Sequence, residues 1–157
     1  NRPNKWQRGE LLFEEGVTCC FNPKLLRCAN PIGYQTYVET PHVVVSLNGD
    51  LWGCLRAGLE EIEAKLNIVA SGLKFLSVLM IARDSPILTT LPTRIAEAYA
   101  PLFDLATSPV PLPFSPNPIS MSWPMRADQE PGSVWIRSQI RNASFVQQDH
   151  SAPLAAE

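Results

Sequence analysis

"SPILTTLPTRIAEAY", residues 85–99, decides the fold. A short apolar run, ILTTL, stops at Pro92, and an amphipathic stretch begins at once. Proline is tolerated best at the first helical position, where its missing N–H costs nothing. The stretch therefore reads as a strand that delivers the chain straight into a helix.

Upstream, the same step repeats. "HVVVSL" (42–47) is short, β-branched and uniformly apolar, which predicts a strand buried on both faces. In "LWGCLRAGLEEIEAKL", Leu51, Leu55, Leu59, Ile62 and Leu66 recur at helical spacing. Asp50 is placed as its N-cap, with Glu60, Glu61 and Glu63 on the solvated side. "NIVA" is a short strand, and "SG" leads into "LKFLSVLMIA", a helix apolar nearly all round and so expected to be sandwiched. From 42 to 106 the order is strand, helix, strand, helix, strand, helix. That alternation predicts a mostly parallel sheet with helices on its faces.

The flanks have another texture. "ELLFEEGVTCCF" (10–21) reads as a strand, "NPKLLRCANPIG" as a loop, and "YQTYVET" as one or two helical turns ended by Pro41. "TSPVPLPFSPNPISMSW" holds five prolines in seventeen residues. No central strand tolerates that, so its first part is an extended connector or an edge segment, and "PISMSW" is a strand. "DQEPGSVWIRSQIRNASF" predicts a helix with Pro131 in its first turn and Trp135, Ile136 and Ile140 as apolar positions. Residues 146–157 are expected to form a disordered tail.

Composition excludes several functions. The 157 residues are 45% hydrophobic and 18% charged, with 13 Lys and Arg against 15 Asp and Glu, a net charge of −2. No basic stripe marks a nucleic-acid surface on this piece. The cysteines at 19, 20, 28 and 54 show no C-x-x-C spacing, and His42 and His150 are the only histidines, so neither a metal nor a cofactor is expected. Reduced cysteines packed as small apolar residues fit a cytoplasmic protein. No secretory signal is read, and the longest apolar stretch, around 75–82, is too short to span a membrane. Cys19 or Cys54 with His42 lacks a third orienting group, and no nucleotide-binding or hydrolase motif occurs, so no enzyme is expected.

Several stretches together carry a resemblance. "TPHVVVSLNGD", "LKFLSVLMIARDSPILTTLPTRIAEAY" and "TSPVPLPFSPNPISMSWPMRADQEPGSVWIRSQI" resemble the effector-binding domain of LysR-type transcriptional regulators, in its nodulation and aromatic-responsive branch. The resemblance runs over roughly residues 10–141, through the strand-to-helix step at Pro92, the Pro-rich return, a W-x-x-R before an acidic turn and a closing W-I-R helix. It implies an α/β, two-lobed type 2 periplasmic-binding-protein-like fold with one lobe incomplete. Residues 1–36 and 108–145 would form the first lobe, holding "FEEGVTCCF" and "NPISMSW", and 37–107 the second. The abrupt start resembles a fragment, without the winged helix-turn-helix, linker helix and opening βα units. The chain departs from the family where Trp123 is followed by Pro124 and Met125 instead of a histidine, and where Cys19, Cys20 and Cys54 replace commoner aliphatic or small residues.

The resemblance also implies a site in the cleft between the lobes. Ligand contacts should come from the carboxyl ends of strands and the helix starts that follow. "SLNGD" offers Ser46, Asn48 and Gly49; "SGLKF" offers Ser71, Lys74 and Phe75. His42 corresponds to a histidine near the ligand in the resembling branch, and Met121 and Trp123 are candidate walls. The plainer alternatives are helix caps and turns for Ser46, Asn48 and Ser71, a solvated Lys74, and core packing for His42, Met121 and Trp123. The expected partner is a small anionic or aromatic effector, sensed by a domain of a homo-oligomer (dimer or tetramer) that touches DNA only through its absent N-terminal part. A free-standing solute-binding protein of a transporter and a dimerisation fragment are the competing readings.

Overall fold

The computed structural model describes residues 6–46 and 66–146. The chain divides into two compact units. One runs from Glu15 to Pro116, and the other combines residues up to Glu14 with those from Asn117 onward.

The larger unit is built on a five-stranded sheet. Its strands are β2 (Val17–Phe21), β3 (His42–Val45), β4 (Ile68–Gly72), β5 (Leu88–Pro92) and β6 (Ala106–Pro109), in the order β4-β3-β5-β2-β6. β3 pairs in parallel with β4 and β5, as the alternating pattern predicts, while β2 runs antiparallel to both β5 and β6. Successive side chains of a strand point to opposite faces, and the chain uses both. Cys20, Val43, Val45 and Leu91 face one apolar cluster with Val78, Leu79 and Ala82 of α2 (Phe75–Arg83) and Ala96 of α3 (Thr93–Tyr99). Cys19, Phe21, Val44 and Leu88 face the other, with Ile32 and Tyr37 of α1 (Tyr34–Glu39) and its approach. All four residues of β3 are buried, as its uniform apolarity requires.

Four expectations are corrected here. Gly16 splits the segment 10–21: β1 (Gln7–Glu15) pairs in a separate two-stranded sheet, whereas β2 sits between β5 and β6. Residues 17–21, expected in the first lobe, thus belong to the same sheet as β3, and the unit boundaries fall after Glu14 and Pro116, not after 36 and 107. Pro92 is extended (φ −50°, ψ 135°) and precedes the helix as its N-cap instead of opening it. The α2 helix is one-sided: Val78, Leu79 and Ala82 are buried, but Leu76 and Met80 are 45% and 49% exposed. The Pro-rich stretch behaves as predicted, with β6 at the sheet edge, where a proline deprives no neighbour of a donor. The helix expected over 51–66 and the tail expected over 146–157 fall, apart from their end residues, outside the described residues.

The smaller unit pairs β1 with β7 (Asn117–Pro124), followed by a 3₁₀ turn at Met125–Ala127 and α4 (Pro131–Val146). Pro131 opens α4, where it deprives no intrahelical bond of a donor. Polar contacts hold the unit. Arg137 donates to the carbonyls of Ala127 (3.0 Å) and Asp128 (2.6 Å) and to Ser133 Oγ (2.6 Å), and its guanidinium lies 4.6 Å from the Trp123 ring centre. Trp123 Nε1 donates to Asp128 Oδ1 at 2.8 Å. Arg141 grips Glu10 with two bonds of 2.6 and 2.7 Å, which holds that carboxyl below its usual pKa.

Candidate functional site at the carboxyl edge of the sheet

In a mostly parallel sheet the carboxyl ends of the strands are free to present side chains, because the chain leaves the ladder there. β3, β4 and β5 all end on one edge of the larger unit. The antiparallel β2 begins on that edge, with Val17 opposite Pro92, and β6 ends there, with Pro109 opposite Thr18.

Ser46 and Ser71 come together on this edge. Ser71 pairs with Val44, and the Ser46 amide donates to the Gly72 carbonyl at 3.0 Å. Ser46 is buried and Ser71 half-buried. Lys74 follows, exposed, in the cap position of α2, and Phe75 is half-buried against the first apolar cluster. Asn48 and Gly49 lie outside the described residues. His42 is elsewhere: it opens β3, at the opposite edge of the sheet, and is fully buried. Its Nε2 bonds the Tyr37 carbonyl at 2.6 Å, its ring meets the Tyr37 ring edge-on at 4.8 Å, and burial lowers its pKa. Met121 and Trp123 are half-buried in β7 of the smaller unit, where Trp123 is held at its edge by Asp128 and on its face by Arg137.

The carboxyl edge also carries a depression that the sequence reading did not reach. It encloses about 480 Å³, a size that suits a small organic ligand. Gly16 and Thr18 line it from the start of β2, Thr93 and Glu97 from α3, and Leu112 and Phe114 from the Pro-rich stretch after β6. Among the described residues, none of the site candidates singled out from the sequence lines it. The signal was present in "LPTR", but Thr18 faces Thr93 only because β2 inserts beside β5, and that pairing joins residues 75 positions apart.

Cys19 and Cys20 are poorly suited to act as nucleophiles. Cys19 and Cys20 are free and buried; burial raises both, Cys20 to about 12, so they stay protonated at neutral pH. Cys54 lies outside the described residues. Among the described residues no cluster of His, Cys, Asp and Glu is arranged to hold a metal, and no helix is long and apolar enough to cross a membrane.

No family model matches the chain. Nodulation protein D 1 of Rhizobium tropici is 24% identical over 80% of this chain and 41% of its own length. The HTH-type transcriptional activator NagR of a Ralstonia species is 29% identical over 80% of this chain and 42% of its own. Among solved structures, a probable transcriptional regulator of Pseudomonas aeruginosa superposes with a TM-score of 0.80 at 18% identity, over 90% of this chain and 47% of that one. The effector-binding domain of QuiR in complex with shikimate gives 0.71 at 10% identity, over 92% and 68%. The regulatory domain of MetR, a LysR family regulator from N. meningitidis, gives 0.71 at 7% identity, over 93% and 70%. The chain is related to the LysR-type regulators and has the fold of their regulatory domain. That is a type 2 periplasmic-binding-protein-like fold of mixed α/β character. The chain spans less than half the length of the curated relatives it matches.

Proposed function

We propose that this chain is the small-molecule-sensing regulatory domain of a LysR-type transcription regulator. The observation that carries the reading is the fit of nine-tenths of the chain to the regulatory domain of a LysR family regulator, together with a sequence relative, NagR, that is a transcriptional activator. In this reading an effector settles at the carboxyl edge of the sheet and favours one conformation of the domain over another. Transcription responds because the ligand binds the two states with different affinity. Ser46 and Ser71 are the proposed effector contacts of the larger unit, with Lys74 and Phe75 beside them; Met121 and Trp123 remain separate candidates within the smaller unit. Asn48 and Gly49 stay in the proposal by position. His42, buried at the opposite edge, is no direct contact in this reading.

DNA contact, oligomer formation and a cytoplasmic location belong to the whole regulator in this proposal. The DNA-binding part corresponds to the share of the relatives that this chain does not span. NagR is a transcriptional activator, which favours sensing over the solute-binding and dimerisation readings.

The test is thermal unfolding against benzoate, salicylate and shikimate at millimolar concentration. One of them at a hundred times its dissociation constant should add about 2.7 kcal/mol of stability. Ser71→Leu, which fills the edge beside Ser46, should abolish that gain while leaving the unliganded midpoint within a few degrees. A flat response across these compounds and across neutral arenes would sink sensing by this chain.

A further inference from the structure

Tyr37 and His42 make a buried contact at the end of β3 opposite Ser46, away from the proposed effector edge. α1 has six residues and no side-chain bond at its N-cap. A helix that short is not stable by itself, so its place depends on what Tyr37 meets. Two bonds moor it. Tyr37 Oη and Thr90 Oγ1 of β5 meet at 2.7 Å, and His42 Nε2 bonds the Tyr37 carbonyl at 2.6 Å. The two rings also pack edge-on, 4.8 Å between centres.

The tautomer follows from the partner. A carbonyl only accepts, so Nε2 carries the hydrogen and the neutral ring keeps a bare lone pair on Nδ1. Nδ1 is buried and has no hydrogen-bond partner. A second proton can enter only there. It would make a cation inside an apolar cluster, with one of its two N–H groups unmet. The ladder beside the ring is already irregular: His42 pairs with Ile68 and Val43 with Ala70, which leaves Val69 as an extra residue in β4.

Among the described residues, the elements packed around the ring bring no charge to offset that cation. On α1, burial keeps the Tyr37 phenol protonated, and Glu39 is exposed and bonded to Gln35. β2 and the loop after it bring the thiols of Cys19 and Cys28 to the same cluster, both pushed up by burial. β4 and β5 pair with His42 through Ile68 and Leu88, and neither is ionisable. The ring therefore answers first to burial, which lowers its pKa, and then to the Tyr37 carbonyl, which raises it.

We infer that Tyr37 and His42 form a proton-operated latch: a proton on Nδ1 turns the ring away from the Tyr37 carbonyl, and α1 leaves the sheet while the strands stay paired. The inference goes beyond effector sensing, because it gives the domain an input from acidity that needs no ligand. The strands stay paired because the bonds that flank the latch are backbone bonds. The His42 amide donates to the Asn67 carbonyl at 2.8 Å, and the Leu88 amide to the Pro41 carbonyl at 2.9 Å.

Hydrogen exchange of the 157-residue chain between pH 7.5 and 5, corrected for the intrinsic effect of pH, tests the latch. The probes are the Tyr37 and Thr40 amides, which donate to the Gly33 and Thr36 carbonyls. Their protection should fall by up to about tenfold per pH unit once the ring titrates, the limit for one proton, while residues 88–91 of β5 keep theirs. His42→Gln retains an N–H for the Tyr37 carbonyl but cannot titrate, so its α1 should stay equally protected across the range. Thr90→Val removes the other mooring and should move the onset to higher pH. The ring's own titration is read by NMR in a His150→Ala background. A ring that takes up its proton while α1 stays protected overturns the latch. So does equal loss of protection in α1 and β5, or an α1 in His42→Gln that still opens with acid. The comparison of α1 with β5 in the unaltered chain decides the matter even where a variant does not fold.

Discussion

The two units of this chain are stabilised by different chemistry. In the larger one, a sheet lies between two apolar clusters, and polar pairs such as Thr90–Tyr37 and Ser108–Ile32 are set among them. In the smaller one, two strands and a helix bury little apolar surface of their own. Trp6, Leu11 and Trp135 are largely exposed, and Trp135 is 63% so. There Arg137 and Arg141 tie helix to turn and helix to strand. Apolar burial is strong and indifferent to direction, whereas charge-assisted hydrogen bonds are weaker in total and exacting in geometry. The comparison teaches that one unit can serve as a stiff platform while the other is held in one arrangement by a few removable contacts.

The comparison breaks most readily at Arg137. It is 7% exposed, and replacing it by Met leaves the Ala127 and Asp128 carbonyls without their donor and the Trp123 face bare. Bonds to charged groups contribute about 1.5–3 kcal/mol each, so Arg137→Met should cost the smaller unit about 2–4 kcal/mol. The described tryptophans all lie in that unit, so in a Trp52→Phe background fluorescence should report an early transition while far-ultraviolet dichroism from the sheet stays late. A single coincident transition would show that the units do not differ as argued.

A smaller effect separates the two faces of one strand in the larger unit. Thr90 Oγ1 meets Tyr37 Oη at 2.7 Å inside the second cluster, while Thr89 Oγ1, on the other face, is buried with no hydrogen-bond partner. Thr90→Val should therefore cost about 1–3 kcal/mol by stranding the phenol. Thr89→Val replaces an unpaired hydroxyl with a methyl of the same shape and should be neutral or stabilising by about 1 kcal/mol. Chemical denaturation of the two variants reads the sign directly, and equal losses would mean that Thr89 has a partner after all.

These particulars also show what the sequence could convey. Period and proline placement made β3, β5, α3 and α4 legible, because burial on both faces and helical starts leave local marks. The W-I-R motif was visible as a pattern, but its reason, Arg137 beneath Trp123, depends on where the turn at 125–128 folds back. The site was only half legible. Ser46 and Ser71 follow from reading strand ends one after another, but the depression does not, because β2 enters the sheet from far away in sequence and antiparallel. His42 is a candidate only through the resemblance; it opens β3 and lies at the edge opposite Ser46 and Ser71.

That position yields the smallest effect and the finest test of the apolar platform. His42 is enclosed in the second cluster, where desolvation lowers its pKa from 6.5 more than the Tyr37 carbonyl bond raises it. The unfolded chain then binds a proton near pH 6.5 that the folded chain refuses. Stability contributed this way is complete above the unfolded value and is lost as pH falls below it, with a slope no steeper than about 1.4 kcal/mol per pH unit for one group. Between pH 7 and 5 the unfolding midpoint of the sheet should decline. His42→Gln should flatten that decline, compared in a His150→Ala background so that one histidine is followed. A midpoint that falls equally in both would place the proton on another group and would mean that the platform is less dry than its packing indicates.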